Sequence, residues 1–310
     1  MKPFCRKYTR REIYMKFIKK AAALLLAFLM LLVPATALAD ETNVTDTTTA
    51  ESFVCYGDDL NSEQFEKVMN LLGADLSKDQ LIKVTIDDEK ALLGSIISAD
   101  KIGSRSLSSA RVTLTGEGTG ISVTTQNINW VTSSMYSSAL ATAGVDNARI
   151  VVAAPVEVSG TAALAGILKA YESAASTQLS DEAKAVAGSE MVLTGDLADM
   201  IGSDDAVELL AMVKNAIAEY HLDDYDSLRP YVEQGAKQLG VQLTEDQIDQ
   251  ITKLGVQIAK LDLDPEKLAG QLNGLVDNIQ KIQKVQQSAD SIFTNIKTAV
   301  QGFFNWIGSW

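Results

Sequence analysis

One block, residues 82–172, constrains this chain more than any other, because strand-like and helix-like periods alternate along it. Ile82-Lys83-Val84-Thr85-Ile86 alternates apolar and polar side chains, as a half-buried strand does. Asp87-Asp88-Glu89 then places carboxylates where a helix would begin, ahead of Leu92, Leu93, Ile96 and Ile97, and the helix dipole favours negative charge at that end. Two β-branched runs, 110–115 and 121–126, flank Gly116-Glu117-Gly118-Thr119-Gly120, which fits a hairpin loop. Residues 132–143 predict a helix stopped by Gly144. Arg149-Ile150-Val151-Val152-Ala153-Ala154 is a nearly unbroken apolar run, the pattern of a strand buried on both faces. The order β-α-β-β-α-β predicts an α+β fold built on a small split βαβ, ferredoxin-like sandwich over residues 53–178. The same elements also allow a different α/β arrangement.

Before this block the chain reads as an export signal. Lys16, Lys19 and Lys20 form a basic region, residues 21–33 an apolar run, and Ala37-Leu38-Ala39 a small-residue cleavage site. That run is too short for a spanning helix and fits a secretory signal peptide over 1–39, cut after Ala39, with Met15 as an alternative start. Residues 40–52 are rich in Thr and Asp without apolar periodicity and predict a disordered leader. Asn61-Ser62-Glu63-Gln64 is a helix start, Leu76-Ser77-Lys78-Asp79-Gln80 a second capping signal, and Phe53-Val54-Cys55-Tyr56 a short strand or an anchor.

After Ser180 strand signals vanish. Helices are predicted near 181–188, 190–201, 204–220, 226–239, 245–260 and 265–307, so that 179–310 is an all-helical region. Asp264-Pro265 starts the last helix with a cap followed by proline. Along it Leu275, Ile279, Ile282, Val285, Ala289, Ile292, Ile296, Val300, Phe303 and Ile307 recur every three or four residues, which makes it a long amphipathic helix with one apolar face.

Charge excludes one class of partner. Removing the signal takes eight of 27 basic residues and one of 40 acidic ones, leaving 19 basic and 39 acidic groups and a net charge near −20. Such a surface repels phosphate backbones, so no nucleic-acid partner is expected. Of the two cysteines, Cys5 leaves with the signal and Cys55 is left without an internal disulfide partner.

Several separate strings in the block agree in order with a known family: Ile102-Gly103-Ser104-Arg105, Gly120-Ile121-Ser122-Val123, Asn127-Ile128-Asn129-Trp130-Val131-Thr132, Val151-Val152-Ala153-Ala154-Pro155, and Ser159-Gly160-Thr161-Ala162-Ala163-Leu164-Ala165-Gly166. The chain from about residue 53 resembles the YpuA-like secreted proteins of domain-of-unknown-function family 1002, found mainly in Gram-positive bacteria. The resemblance implies an exported protein and brings no catalytic residues with it.

Candidate site residues follow from chemistry. Ser159, Gly160 and Thr161 come after a buried strand and open a helix, where free backbone N–H groups could hold an anion; close packing of Gly160, Ala163 and Gly166 on the sheet explains the same small residues. Arg105 follows a loop glycine in a chain poor in cations and could meet an acidic ligand or form a salt bridge. His221 is the only histidine, too few for a zinc site, and reads as a solvated helix end. Asp58-Asp59, Asp87-Asp88-Glu89, Asp204-Asp205 and Asp223-Asp224 lack the spacing of a calcium loop, so no metal and no cofactor is expected. The uncharged end of the chain, 298–310, carries Phe303, Phe304, Trp306 and Trp310, and could dock on the protein's own helices, on a partner helix or cell-envelope component, or on another copy in a homo-oligomer. The leading expectation is a non-enzymatic binding or interaction module at the cell envelope. The alternatives are an enzyme acting on an envelope polymer through Asp87, Asp88 and Glu89, and a structural protein assembled through its last helix.

Overall fold

The computed structural model describes residues 52–94 and 104–284. The expected signal segment, the expected leader up to residue 51, and the tail bearing Phe303, Phe304, Trp306 and Trp310 lie outside the described residues. The element order is β1 (Ser52–Gly57), α1 (Ser62–Leu72), β2 (Gln80–Val84), α2 (Ile86–Leu93), β3 (Ser109–Leu114), β4 (Ile121–Ile128), α3 (Ser133–Thr142), β5 (Ala148–Val158) and α4 (Thr161–Ala175). Then come α5 (Asp181–Ile201), α6 (Ser203–Tyr220), α7 (Tyr225–Leu239), α8 (Glu245–Ala259) and a last helix, α9, described over 265–284. The fold is α+β, as the sequence predicts.

The sheet has five strands in the order β2-β1-β3-β5-β4. Two parallel pairs, β1 with β2 and β4 with β5, are each joined through a helix, and β3 runs antiparallel to both β1 and β5. This is not the ferredoxin-like split βαβ, in which β3 and β4 would pair as a hairpin; here β5 lies between them. Burial explains the choice. Alternate residues of β5 enter separate cores, Ile150 and Val152 on one side and Val151 and Ala153 on the other, so it needs a neighbour on each edge and cover on each face. Strand β4 is half exposed with polar alternate positions and can end the sheet. Strand β1 is more than an anchor: Phe53, Val54 and Cys55 are all buried, and it lies inside the sheet between β2 and β3.

Helix α1 covers one face through Val68, Met69 and Leu72, which meet Val54 and Ala153. Helices α3 and α4 cover the other, packing on Phe53, Cys55, Ala110, Val112, Ile150 and Val152. The close approach expected of the small residues of α4 is seen at Gly166, where an added Cβ would come within 2.6 Å of the Cys55 sulfur. Met191 and Val192 of α5 and Val207 of α6 join this same core, while a second core, built on Leu209, Val213, Leu228, Val232, Ile251 and Leu254, holds α5 to α8 together.

Caps set most helix starts. Asn61 and Gln64 exchange side-chain and backbone hydrogen bonds at α1, and Thr244 and Gln247 do so at α8. Asp264 accepts from the Glu266 and Lys267 N–H groups at α9. The signal at Leu76–Gln80 does not start a helix. Ser77 bonds back to Asp75, and Asp79 accepts the Arg111 guanidinium through both oxygens, at 2.8 and 3.1 Å, so the segment turns straight into β2. The two helices predicted at 181–188 and 190–201 are one, because Gly188 serves contact rather than termination: a Cβ there would lie 2.7 Å from Leu93 Cδ2.

Candidate functional site

The corner between β5 and α4 is the first place to look, since Ser159, Gly160 and Thr161 form it. Gly160 has φ +95°, and a Cβ would stand 2.5 Å from Ile128 and 2.6 Å from the Tyr136 hydroxyl, so only glycine passes here. The Tyr136 hydroxyl donates to Gly160 O, and Val131 N donates to Ser159 O at 3.0 Å. Ser159 and Thr161 hydroxyls lie 3.2 Å apart. The acidic group at this helix start comes from the chain itself, because Thr161 Oγ1 donates to Glu89 Oε1 at 2.5 Å.

The three consecutive carboxylates have separate fates. Asp87 is exposed and stands 3.9 Å from Lys90. Asp88 caps α2 by accepting from Thr85 and pairs with Lys169 of α4. Burial works against its charge, but the Lys169 ammonium and the Thr85 donors win and hold it below the usual carboxylate range. Glu89 is fully buried, and its second oxygen, Oε2, has no hydrogen-bond partner. Burial pushes its pKa up to about 7, against the pull of the Thr161 hydroxyl. The pair of carboxylates sharing one opening, which acid–base hydrolysis requires, is not formed by Asp87, Asp88 and Glu89.

Neighbouring groups at this corner are held neutral. Burial pushes the Tyr136 phenol well above its ordinary value, and it pushes the Cys55 thiol up to about 12. The Cys55 sulfur donates to Ala110 O at 3.3 Å.

A second place is open to solvent. A groove of about 830 Å³ lies between β4, the first turns of α3 and the side of α9. Its floor includes Ile121, Ser122 and Val123, with Ser133, Ser134 and Ser137 on α3, while Gly270, Gly274, Asn278 and Ile282 form the α9 wall. The glycine-rich loop at Glu117–Gly120 closes one end, steadied by the Gly120 N–H, which donates to Asn147 at 2.9 Å. Two acids, Glu117 and Asp146, balance two lysines, Lys267 and Lys281. Lys267 is paired with Asp146 at 3.0 Å. In a chain of formal charge −13 this groove is locally neutral and rich in hydroxyl and amide groups.

Sequence reasoning missed a third cluster. Lys214 of α6 and Glu190 of α5 form an ion pair at 2.7 Å, each side chain 1% exposed. Ser138 Oγ donates to Glu190 Oε1 at 2.6 Å, and Thr142 Oγ1 donates to Glu190 Oε2. Lys214 also donates to Ser138 O at 2.9 Å and reaches the Ser138 and Thr142 hydroxyls at 2.8 and 3.2 Å. Burial lowers the Lys214 pKa, with the Glu190 charge pulling the other way. The available signal was a lone lysine within the apolar run Leu209–Ile217.

The other candidates are scattered. Arg105 is exposed in the segment leading to β3. His221 is exposed and ends α6 with φ +53°. Asp58 pairs with Lys83 at 2.8 Å, Asp59 accepts from Ser106 N at 2.7 Å, and Asp224 caps α7. Among the described residues, no three His, Cys, Asp or Glu side chains gather as a metal site would need, and no helix is long and apolar enough to cross a membrane.

Comparison with known proteins agrees with the strings that carry the resemblance. A family model described as a protein of unknown function (DUF1002) matches residues 56–275. The chain is 34% identical over 285 residues to the uncharacterized protein YpuA of Bacillus subtilis (strain 168), a match covering 90% of this chain and 96% of that protein. No solved structure matches the chain. With most of its length inside the family model and a relative matched almost end to end, the chain belongs to the DUF1002 family.

Proposed function

We propose that this chain is an exported, non-enzymatic binding module of the cell envelope, and that it takes its ligand in the groove between β4 and α9. The groove carries the reading. Side chains of three elements converge there on open space: Ser122 from β4, Ser133, Ser134 and Ser137 from α3, and Asn278 from α9, with the Ser137 hydroxyl donating to Ser133 O on its own helix and leaving its oxygen to accept. Neutral hydroxyls and amides beside the apolar side chains of Ile121, Val123 and Ile282 suit an uncharged ligand held by many modest contacts. Export follows from the amino-terminal signal pattern. The uncharged tail with Phe303, Phe304, Trp306 and Trp310 supplies a second contact with the envelope in this reading.

Sedimentation with an isolated Gram-positive envelope fraction tests it. The mature chain should sediment with the fraction, Ser137→Trp should reduce binding about tenfold by filling the groove, and deletion of 298–310 should reduce it further. A mature chain that stays in solution would reject the reading. Release of soluble fragments from the envelope that stops in Glu89→Gln would favour the polymer-degrading enzyme instead.

A further inference from the structure

We propose that β4 is a docking edge for an extended, uncharged peptide, which lies between β4 and α9 and joins the sheet as its next strand. This rests on the binding-module reading and names the class of ligand.

Strand β4 ends the sheet. Ile121 is in register with Ala148, and Ala148 N donates to Gly120 O. In a parallel ladder with that register the peptide groups of Ser122 and Thr124 turn toward β5, and those of Ile121, Val123 and Thr125 turn away from it. Among the described residues, no strand pairs with that outer side.

Natural edge strands are usually blunted by charge, proline, short length or a bulge. The opposite edge follows that rule: β2 has five residues, and its Lys83 is tied to Asp58. Strand β4 does not. It runs for eight residues, Ile-Ser-Val-Thr-Thr-Gln-Asn-Ile, without a charge or a proline, in a chain with 67 charged side chains. Its one irregularity, a register shift at Asn127 with φ +58°, sits at its far end and leaves the outer groups of Ile121, Val123 and Thr125 in regular geometry.

There is also room for a guest. The groove follows the first half of β4, and the facing wall of α9 offers Gly270 and Gly274, where an added Cβ would meet nothing within 4 Å. A strand seated between a sheet edge and a helix is a known mode of peptide recognition, with main-chain bonds supplying affinity and alternate side chains supplying preference. Here every second side chain of the guest would face the small hydroxyls of Ser133, Ser134 and Ser137. The balanced charge of the groove selects a guest without net charge.

Selection of random phage-displayed peptides on the mature chain, followed by titration of an enriched synthetic peptide, provides the test. The expected peptide is uncharged, and adding it slows amide exchange at Ile121, Val123 and Thr125 while leaving Ser122 and Thr124, already bonded to β5, as they were. Val123→Pro removes one outward N–H that the sheet does not use, so it should keep the circular dichroism spectrum and weaken the peptide about tenfold. Failure to enrich any peptide, or an enriched peptide that leaves the three amides unprotected, overturns the proposal. So does protection of those amides without peptide in a chain that light scattering shows to be dimeric, since the occupant is then a second copy. Envelope binding that survives Val123→Pro but not Ser137→Trp would keep the groove and reject strand addition. Loss in neither variant rejects both readings.

Discussion

Glu190 and Glu89 are both buried carboxylates on helices, and they sit in the two halves of the molecule. Around Glu190, where the helical region meets α3, both oxygens accept hydrogen bonds and Lys214 supplies the countercharge. Around Glu89, between α2 and α4, one hydroxyl serves one oxygen, the other oxygen has no hydrogen-bond partner, and the Lys169 ammonium of α4 is engaged with Asp88 instead. The first arrangement makes removal of a partner costly, because a buried polar or charged group is then left unanswered. The second makes ionisation costly and removal of the acid harmless or better. Burial alone does not say what a carboxylate does for stability; the donors around it do.

The largest expected effect breaks the satisfied cluster. Lys214→Met leaves Glu190 buried without its countercharge and should cost about 3–5 kcal/mol in urea unfolding at neutral pH. Adding Glu190→Gln in the same chain should recover much of that loss. A single variant as stable as the parent would show that the ion pair is not what secures α5 and α6 to α3.

Next comes the pH profile of Glu89. Its folded-state pKa, about 7, lies above the ordinary 4.5, so the folded chain holds this proton more tightly than the unfolded one. The stability it contributes is complete below about pH 4.5 and is lost as pH rises through about 7, a loss of about 3 kcal/mol. Glu89→Gln should flatten that slope and be the more stable chain at pH 8, by about 1–2 kcal/mol once the buried amide is counted. Parallel profiles for the two chains would place the unpartnered oxygen in contact with water.

The smallest effect is expected at Asp87, a carboxylic acid on the same helix as Glu89 but with an exposed side chain. Asp87→Asn removes one exposed charge from the first turn of α2 and should cost only about 0.5 kcal/mol in urea unfolding at neutral pH. A shift as large as that of Glu89→Gln would mean that position along α2, rather than burial, governs these carboxylates.

Local patterns were legible in the sequence to the extent that local physics decides them. Asn61 and Asp264 cap helices where their spacing predicts, Thr132 and Thr244 cap two more helices close to their predicted starts, and the block from β2 to α4 has its elements in the predicted order. Strand order was not legible, because pairing depends on which strands can be buried on both faces. The short run Phe53-Val54-Cys55 gave too little pattern to claim an interior place in the sheet. The polar clusters were hidden for a related reason: Thr161 lies 72 residues from Glu89, and Ser138 lies 52 from Glu190. Both members of the Ser159–Thr161 corner and the Asp87–Glu89 cluster were visible as candidates; that they meet each other was not. The groove combines β4, α3 and α9, and no single stretch announces it.

Cys55 has a consequence of its own. Among the described residues it is the sole cysteine, and its thiol is sealed between β1 and the close approach of Gly166. An electrophile in solution therefore reacts with it only while α4 stands away from the sheet. The protein carries, at its centre, a clock that counts its own openings, one covalent mark at a time, and needs no engineered label to be read.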